Sequence, residues 1–190
     1  MMREDIKQVL FSESQLAARV RELAADINRD YAGRVPLIIS ILKGSFVFAA
    51  DLVRCIDIEC SIDFIACSSY AKSTETSGAV KIIKDLDTDI SGREVIIVED
   101  ILDSGVTLNY IINLMGAKNP ASIKLCVLLD KPARRRVPVA ADYRGFEISD
   151  DFVVGYGLDF DEKYRNLPYI GVLRPHVYER PERRRALDGP

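Results

Sequence analysis

Val95-Ile96-Ile97-Val98-Glu99-Asp100-Ile101-Leu102-Asp103-Ser104-Gly105-Val106-Thr107-Leu108 is the stretch on which the fold turns. Glu94 to Val98 reads as a strand, and its apolar run is short enough to be buried on both faces of a sheet. Two carboxylates follow, then a Ser/Gly/Thr turn. Leu108, Ile111, Ile112 and Met115 recur at spacings of three and four, which marks a helix. A strand that feeds directly into a helix is the unit of a parallel α/β sheet.

Outward from this stretch the unit repeats. Val35 to Leu42 is a nearly all-apolar run with Pro36 at its start, where a strand tolerates proline. Gly44 breaks it, and Phe46, Ala49, Ala50 and Val53 return to helical spacing. Upstream, Ser12-Glu13-Ser14-Gln15 has the form of a capping box. Leu16, Val20, Leu23, Ala24 and Ile27 then predict a helix to about Arg29. Ser61 to Ser68 and Ile123 to Leu129 are further strand candidates. The alternation predicts an α/β fold, a mostly parallel central sheet flanked by helices on both faces. Ala71 to Gly78 is small, polar and without apolar pattern, and reads as a mobile loop.

Composition narrows the function. The chain has 190 residues, 48% of them apolar and 29% charged. At roughly 100–200 residues per domain, one domain is expected. A net charge of −3 argues against a general nucleic-acid binder, which would be basic. The longest apolar runs fall well short of the ~20 residues of a membrane helix. Glu4 and Asp5 interrupt the N-terminal segment, so no export signal is expected. Cys55, Cys60, Cys67 and Cys126 form no CxxC pair and lie among apolar neighbours, so they read as inert core thiols in a reducing, cytoplasmic setting. With His176 the only histidine, a zinc site is disfavoured. From Arg174 onward there are five Arg against three acids, and the segment beyond 178 reads as a frayed, solvated tail.

The chemistry concentrates at the opening stretch. In open α/β sheets ligands bind beyond the carboxyl ends of the strands. A turn at a helix N-terminus offers unpaired N–H groups and the positive end of the helix dipole, which favour a phosphate. Gly105 admits close backbone approach, while Ser104 and Thr107 add hydroxyls. Glu99 and Asp100 repel a phosphate and suit sugar hydroxyls or a hydrated Mg²⁺. Phosphate at one end and hydroxyls at the other describe a ribose phosphate. The stretch is neither GxGxxG nor GxxxxGK[ST], which disfavours a dinucleotide fold or a P-loop ATPase.

This stretch resembles the ribose-phosphate motif of the type I phosphoribosyltransferases, and its Glu99-Asp100 opening resembles their 6-oxopurine branch. The likeness covers roughly Ile6 to Tyr178 and rests on several motifs in order. It implies the type I fold with a small base-binding hood. The expected organisation is a single domain over 1–178, with the hood drawn from the N-terminal segment and about 131–178, and an Arg-rich tail over 179–190. Leu42-Lys43-Gly44 is similar to the pyrophosphate loop, in which the first peptide is often cis. Ser68-Ser69-Tyr70 and the polar stretch after it resemble the mobile lid, with Ser69 and Tyr70 as its residues. Asp130-Lys131-Pro132 resembles the segment whose lysine donates to the exocyclic oxygen of the purine. The following Arg134, Arg135 and Arg136 read as a solvated basic face. In Asp151-Phe152-Val153-Val154-Gly155-Tyr156-Gly157-Leu158-Asp159, the likeness implies that Phe152 stacks on the base and the Val153 backbone reads its edge. It makes Asp159 a metal ligand with Glu99 and Asp100, and gives Arg165 to pyrophosphate. Read singly, most of these residues suit ordinary core or surface roles; the ordered set carries the likeness.

The resemblance implies Mg²⁺-dependent transfer from phosphoribosyl pyrophosphate to N9 of hypoxanthine, and of guanine. Asp103 is the candidate general base or acid at purine N7. Val106 carries no charge, at a position that varies in the family. A homodimer or homotetramer is expected, with no nucleic-acid or membrane partner. Two alternatives stay open: a preference for guanine or xanthine, and a regulator of the same fold that senses phosphoribosyl pyrophosphate without catalysis.

Overall fold

The computed structural model describes residues 2–69 and 80–179. Tyr70, the loop 71–78 and all but the first residue of the tail 179–190 lie outside them.

A six-stranded sheet forms the centre, in the order β4-β3-β2-β5-β6-β7. Its strands are β2 (Leu37–Leu42), β3 (Ser61–Ser69), β4 (Val80–Lys84), β5 (Glu94–Leu102), β6 (Ser122–Asp130) and β7 (Tyr143–Glu147). All neighbours run parallel except β3 and β4. Three helices flank it: α1 (Glu13–Asp30), α2 (Phe46–Cys55) and α3 (Val106–Gly116). β5 shows why the sheet is apolar on both sides. Ile96 and Val98 enter the core shared with α1 and α2, while Val95 and Ile97 enter the core under α3. The alternation of successive side chains in a strand produces this division. α1 starts as its sequence predicts: Gln15 N–H donates to Ser12 Oγ (3.3 Å), and Ser12 N–H donates to Gln15 Oε1 (2.9 Å).

A second, antiparallel sheet joins the two ends of the chain. β1 (Ile6–Phe11) and β8 (Val153–Val154) pair on either side of β9 (Ile170–Leu173). A short helix, α4 (Pro175–Tyr178), follows. Phe11 stacks on Phe146 of β7 at 4.0 Å between ring centroids, which ties this sheet to the large one.

Several sequence expectations change. β2 begins at Leu37 rather than Val35, since proline lacks the N–H that a ladder needs. β5 does not stop at Val98. Its ladder continues through Glu99–Val127 and Leu102–Asp130, so both carboxylates sit inside the strand. Acids are depleted in strands because they pack poorly on a pleated surface, but the ladder itself is made by backbone alone. Of the four cysteines only Cys126 is buried; the other three are half-buried. Among the described residues no helix is long and apolar enough to cross a membrane.

Candidate active site

The β5–α3 turn is arranged for an anion. Gly105 is the N-cap of α3 with φ +79°, a left-handed conformation that glycine adopts without penalty. Gly105 itself has no side chain to cap the helix, and the Val106 N–H donates to Ser104 Oγ at 3.4 Å. The N–H groups that follow, of Thr107 and Leu108, have no intrahelical acceptor and lie at the positive end of the helix dipole. Ser104 and Thr107 flank them, both half-buried. Val106 opens the helix and brings no charge.

The turn is held from below by Arg135. Its guanidinium donates to the carbonyls of Asp103 (3.1 Å), Leu102 (3.3 Å) and Val139 (2.5 Å), and pairs with the Asp130 carboxylate. Only 17% of its side chain is exposed, which corrects the solvated basic face for this residue. Arg134 and Arg136 are exposed as expected. Arg134 nonetheless pairs with the Asp103 carboxylate (Nε to Oδ1, 3.1 Å) and with Asp150 (3.1 Å). Three consecutive arginines look alike in sequence. Only the ladder that brings Asp130 beside Leu102 singles out the middle one.

The pyrophosphate-loop candidates meet the acidic strand. A Cβ on Gly44 would overlap the Asp100 carboxylate, so the loop packs directly on that side chain. The Leu42–Lys43 peptide is cis. Buried Ser45 donates to Ile41 O (2.5 Å) and contacts Ser40 Oγ (2.8 Å), which fixes the turn from within. Nothing in the local sequence pairs these two serines. The one local signal is Ser40, a lone polar residue in the run Leu37–Leu42. From the far side Gly157 lies on the Gly44 carbonyl so closely that a Cβ would not fit. Arg165 donates to Gly157 O (2.9 Å) and pairs with Asp159 (2.8 Å); Lys43 pairs with Glu162 (3.2 Å). Leu42, Lys43, Gly44 and Arg165 are thus assembled from segments some 120 residues apart. Asp159, a candidate metal ligand, has Arg165 as its partner here.

Glu99 and Asp100 are consecutive in β5, with Asp100 buried and Glu99 half-buried. Burial pushes Asp100 up to about 6, against the opposing pull of the Ile101 N–H and the Arg165 guanidinium. Burial, and then the neighbouring Asp100 charge, raise Glu99 well above the usual carboxylate range. Glu99 Oε2 is buried with no hydrogen-bond partner among the described residues. Two such carboxylates fit a hard divalent cation, which would supply the missing positive charge. Among the described residues no three His, Cys, Asp or Glu side chains converge on one point. Mg²⁺ would need only one or two of these carboxylates, because it keeps water and substrate oxygens in its shell.

The base-side candidates lie across the turn. Lys131 is 6% exposed; its N–H donates to Leu102 O (2.9 Å) and its Nζ to Asp151 O (2.6 Å). Burial lowers its pKa. Phe152 remains 37% exposed, while Val153 is buried and paired with Val172. Ser69 closes β3, and Tyr70 lies outside the described residues.

A helix N-terminus, an acidic strand end and a cis-peptide loop thus face a lysine and a partly exposed aromatic ring. Residues 10–161 match the phosphoribosyl transferase domain family. The chain belongs to that family. Among phosphoribosyltransferases it is 52% identical to the hypoxanthine-guanine enzyme of Bacillus subtilis, over 94% of this chain and 99% of that protein. A Staphylococcus aureus hypoxanthine phosphoribosyltransferase structure superposes with a TM-score of 0.90 at 47% identity, covering 93% of this chain and 96% of that one. A Bacillus anthracis hypoxanthine-guanine phosphoribosyltransferase structure gives 0.86 at 53% identity, covering 89% and 99%. The sequence sits on the hypoxanthine-guanine branch of the phosphoribosyltransferases.

Proposed function

We propose that this phosphoribosyltransferase serves purine salvage: it transfers the 5-phosphoribosyl group from phosphoribosyl pyrophosphate to N9 of hypoxanthine, and of guanine, releasing pyrophosphate. The observation that carries this is the packing of the Leu42-Lys43-Gly44 loop against Asp100, on the strand that leads into the α3 N-terminus. In this reading the loop would take pyrophosphate and the turn the ribose phosphate, on either side of one sugar.

The residues divide the work. The N–H groups of residues 105–107, with the Ser104 and Thr107 hydroxyls, hold the 5-phosphate. Glu99 and Asp100 face the ribose hydroxyls. Lys43, the Gly44 backbone and Arg165 hold pyrophosphate and stabilise the charge that builds on it as the C1–O bond breaks. Glu99, Asp100 and Asp159 are the residues that would hold Mg²⁺, one or two of them directly with water and substrate oxygens completing its shell, and the ion would supply Lewis-acid stabilisation to that leaving group. Phe152 stacks on the base and the Val153 backbone reads its edge. The Lys131 ammonium donates to the 6-oxo group, a bond that the amino group of adenine cannot accept. Asp103 takes or returns the proton at purine N7. Ser69 and Tyr70 belong to a lid that keeps water from C1. The same reading carries a homodimer or homotetramer and a cytoplasmic location.

The test is to mix the protein with phosphoribosyl pyrophosphate and Mg²⁺ and each of hypoxanthine, guanine, xanthine and adenine, and to separate the products. Nucleotide from hypoxanthine and guanine, with little from adenine, is expected. Xanthine as the best substrate would change the base assignment. Bound phosphoribosyl pyrophosphate with no product from any base would make the protein a sensor.

A further inference from the structure

Phe152 is not a free-standing ring. Tyr178, in the last turn of α4, stacks on it at 5.0 Å between centroids and 20° between planes. Phe160 meets it edge-on at 5.6 Å and 88°. With these two ring contacts made, Phe152 is still 37% exposed, which leaves surface for a flat ligand.

Tyr178 is held at its post by several contacts. Leu173, at the end of β9, donates its N–H to Phe152 O (2.8 Å). The next residue, Arg174, donates N–H to Asp5 O (2.8 Å) and Nε to Glu4 O (3.0 Å), which ties the entry of α4 to the N-terminal turn. Val177 and Tyr178 then pack with Phe160 against Ile6, Val154, Tyr164, Leu167 and Leu173. The C-terminal turn is therefore built against the back of the ring that receives the base.

We propose that Tyr178 is a positioning residue for the purine: it backs Phe152, so that base, Phe152 and Tyr178 form a three-ring stack. This rests on the reading of Phe152 as the base platform. A stacked aromatic pair contributes about 0.5–1.5 kcal/mol beyond its buried area, equivalent to about 2- to 12-fold in affinity. A platform of this kind senses the flat face of the base and not its substituents, so hypoxanthine and guanine respond alike.

The experiment is steady-state kinetics on the full chain carrying Tyr178→Ala, Tyr178→Leu, Tyr178→Phe or Phe152→Ala, and on the Phe152→Ala/Tyr178→Ala double variant. Melting temperatures are recorded alongside. Tyr178→Ala and Tyr178→Leu are expected to raise KM for both bases about 2- to 12-fold while KM for phosphoribosyl pyrophosphate stays put. Tyr178→Phe restores the wild-type value. In the Phe152→Ala background the Tyr178 substitution adds nothing further, because it acts through the missing ring. Leucine keeps apolar bulk in the packed cluster, so it reports on stacking even where alanine unfolds the turn. A base KM that is unchanged in the leucine variant overturns the proposal. So does a rise shared equally by phosphoribosyl pyrophosphate, or a fall, which would mean that Tyr178 occupies the place of the base. If Phe152→Ala itself leaves base KM unchanged, the platform reading fails instead.

Discussion

Asp103→Asn is expected to lower kcat by about 10²–10⁴-fold, the contribution of a positioned proton transfer. Asparagine keeps the shape of the side chain but cannot take the N7 proton. The turn beneath it is held through its backbone carbonyls by Arg135, so the substitution leaves the phosphate site in place. KM for phosphoribosyl pyrophosphate should accordingly stay within about twofold, because the 5-phosphate is bound by N–H groups of residues beyond 103. Initial rates with hypoxanthine at saturating phosphoribosyl pyrophosphate measure this. A loss of less than about tenfold would remove Asp103 as the acid–base group.

Gly44→Ala should be nearly as damaging by a different route. A single methyl here overlaps the Asp100 carboxylate, while the carbonyl of the same residue is pinned under Gly157. The loop is confined on both sides, so the added methyl displaces Asp100 or shifts the loop against Gly157. A displacement of about 1 Å at a reacting centre costs on the order of 10²-fold. We expect kcat/KM for phosphoribosyl pyrophosphate to fall at least that far, with a higher Mg²⁺ requirement and a nearly unchanged KM for the base. Titrations of each substrate separate these effects, and a melting curve shows whether the fold survives. A loss confined to the base KM would contradict the contact.

The elements that carry the chemistry were legible in sequence because each advertises itself locally. The apolar run before Glu99, the break at Gly44 and the capping box at Ser12 are signals within a few residues. What was not legible depends on partners far along the chain. β1 exists because Ile6–Phe11 finds Ile170–Leu173; on its own, mostly exposed Ile6–Phe11 has no strand pattern. β7 contains Gly145 in a five-residue edge strand, and β4 is a short alternating strand, Val80 to Lys84, with too few residues to stand out. The same holds within the site. Asp100, Gly44 and Arg165 were each named, but that they touch or face one another is a product of the fold. Arg135 was set aside as solvated because its role is set by carbonyls, and a carbonyl has no signature in sequence. Tyr178 has no local signal in sequence because its partner, Phe152, lies far back in the chain, just before β8.

The most direct test of the central claim is a crystal structure of the protein with IMP and Mg²⁺. The account predicts the 5-phosphate within about 3 Å of the N–H groups of residues 105–107. It places the ribose hydroxyls on the Glu99–Asp100 side, the base against Phe152 and its 6-oxo group on Lys131 Nζ. A nucleotide whose phosphate lies away from the α3 N-terminus, with Glu99 and Asp100 out of reach of the sugar, would contradict it.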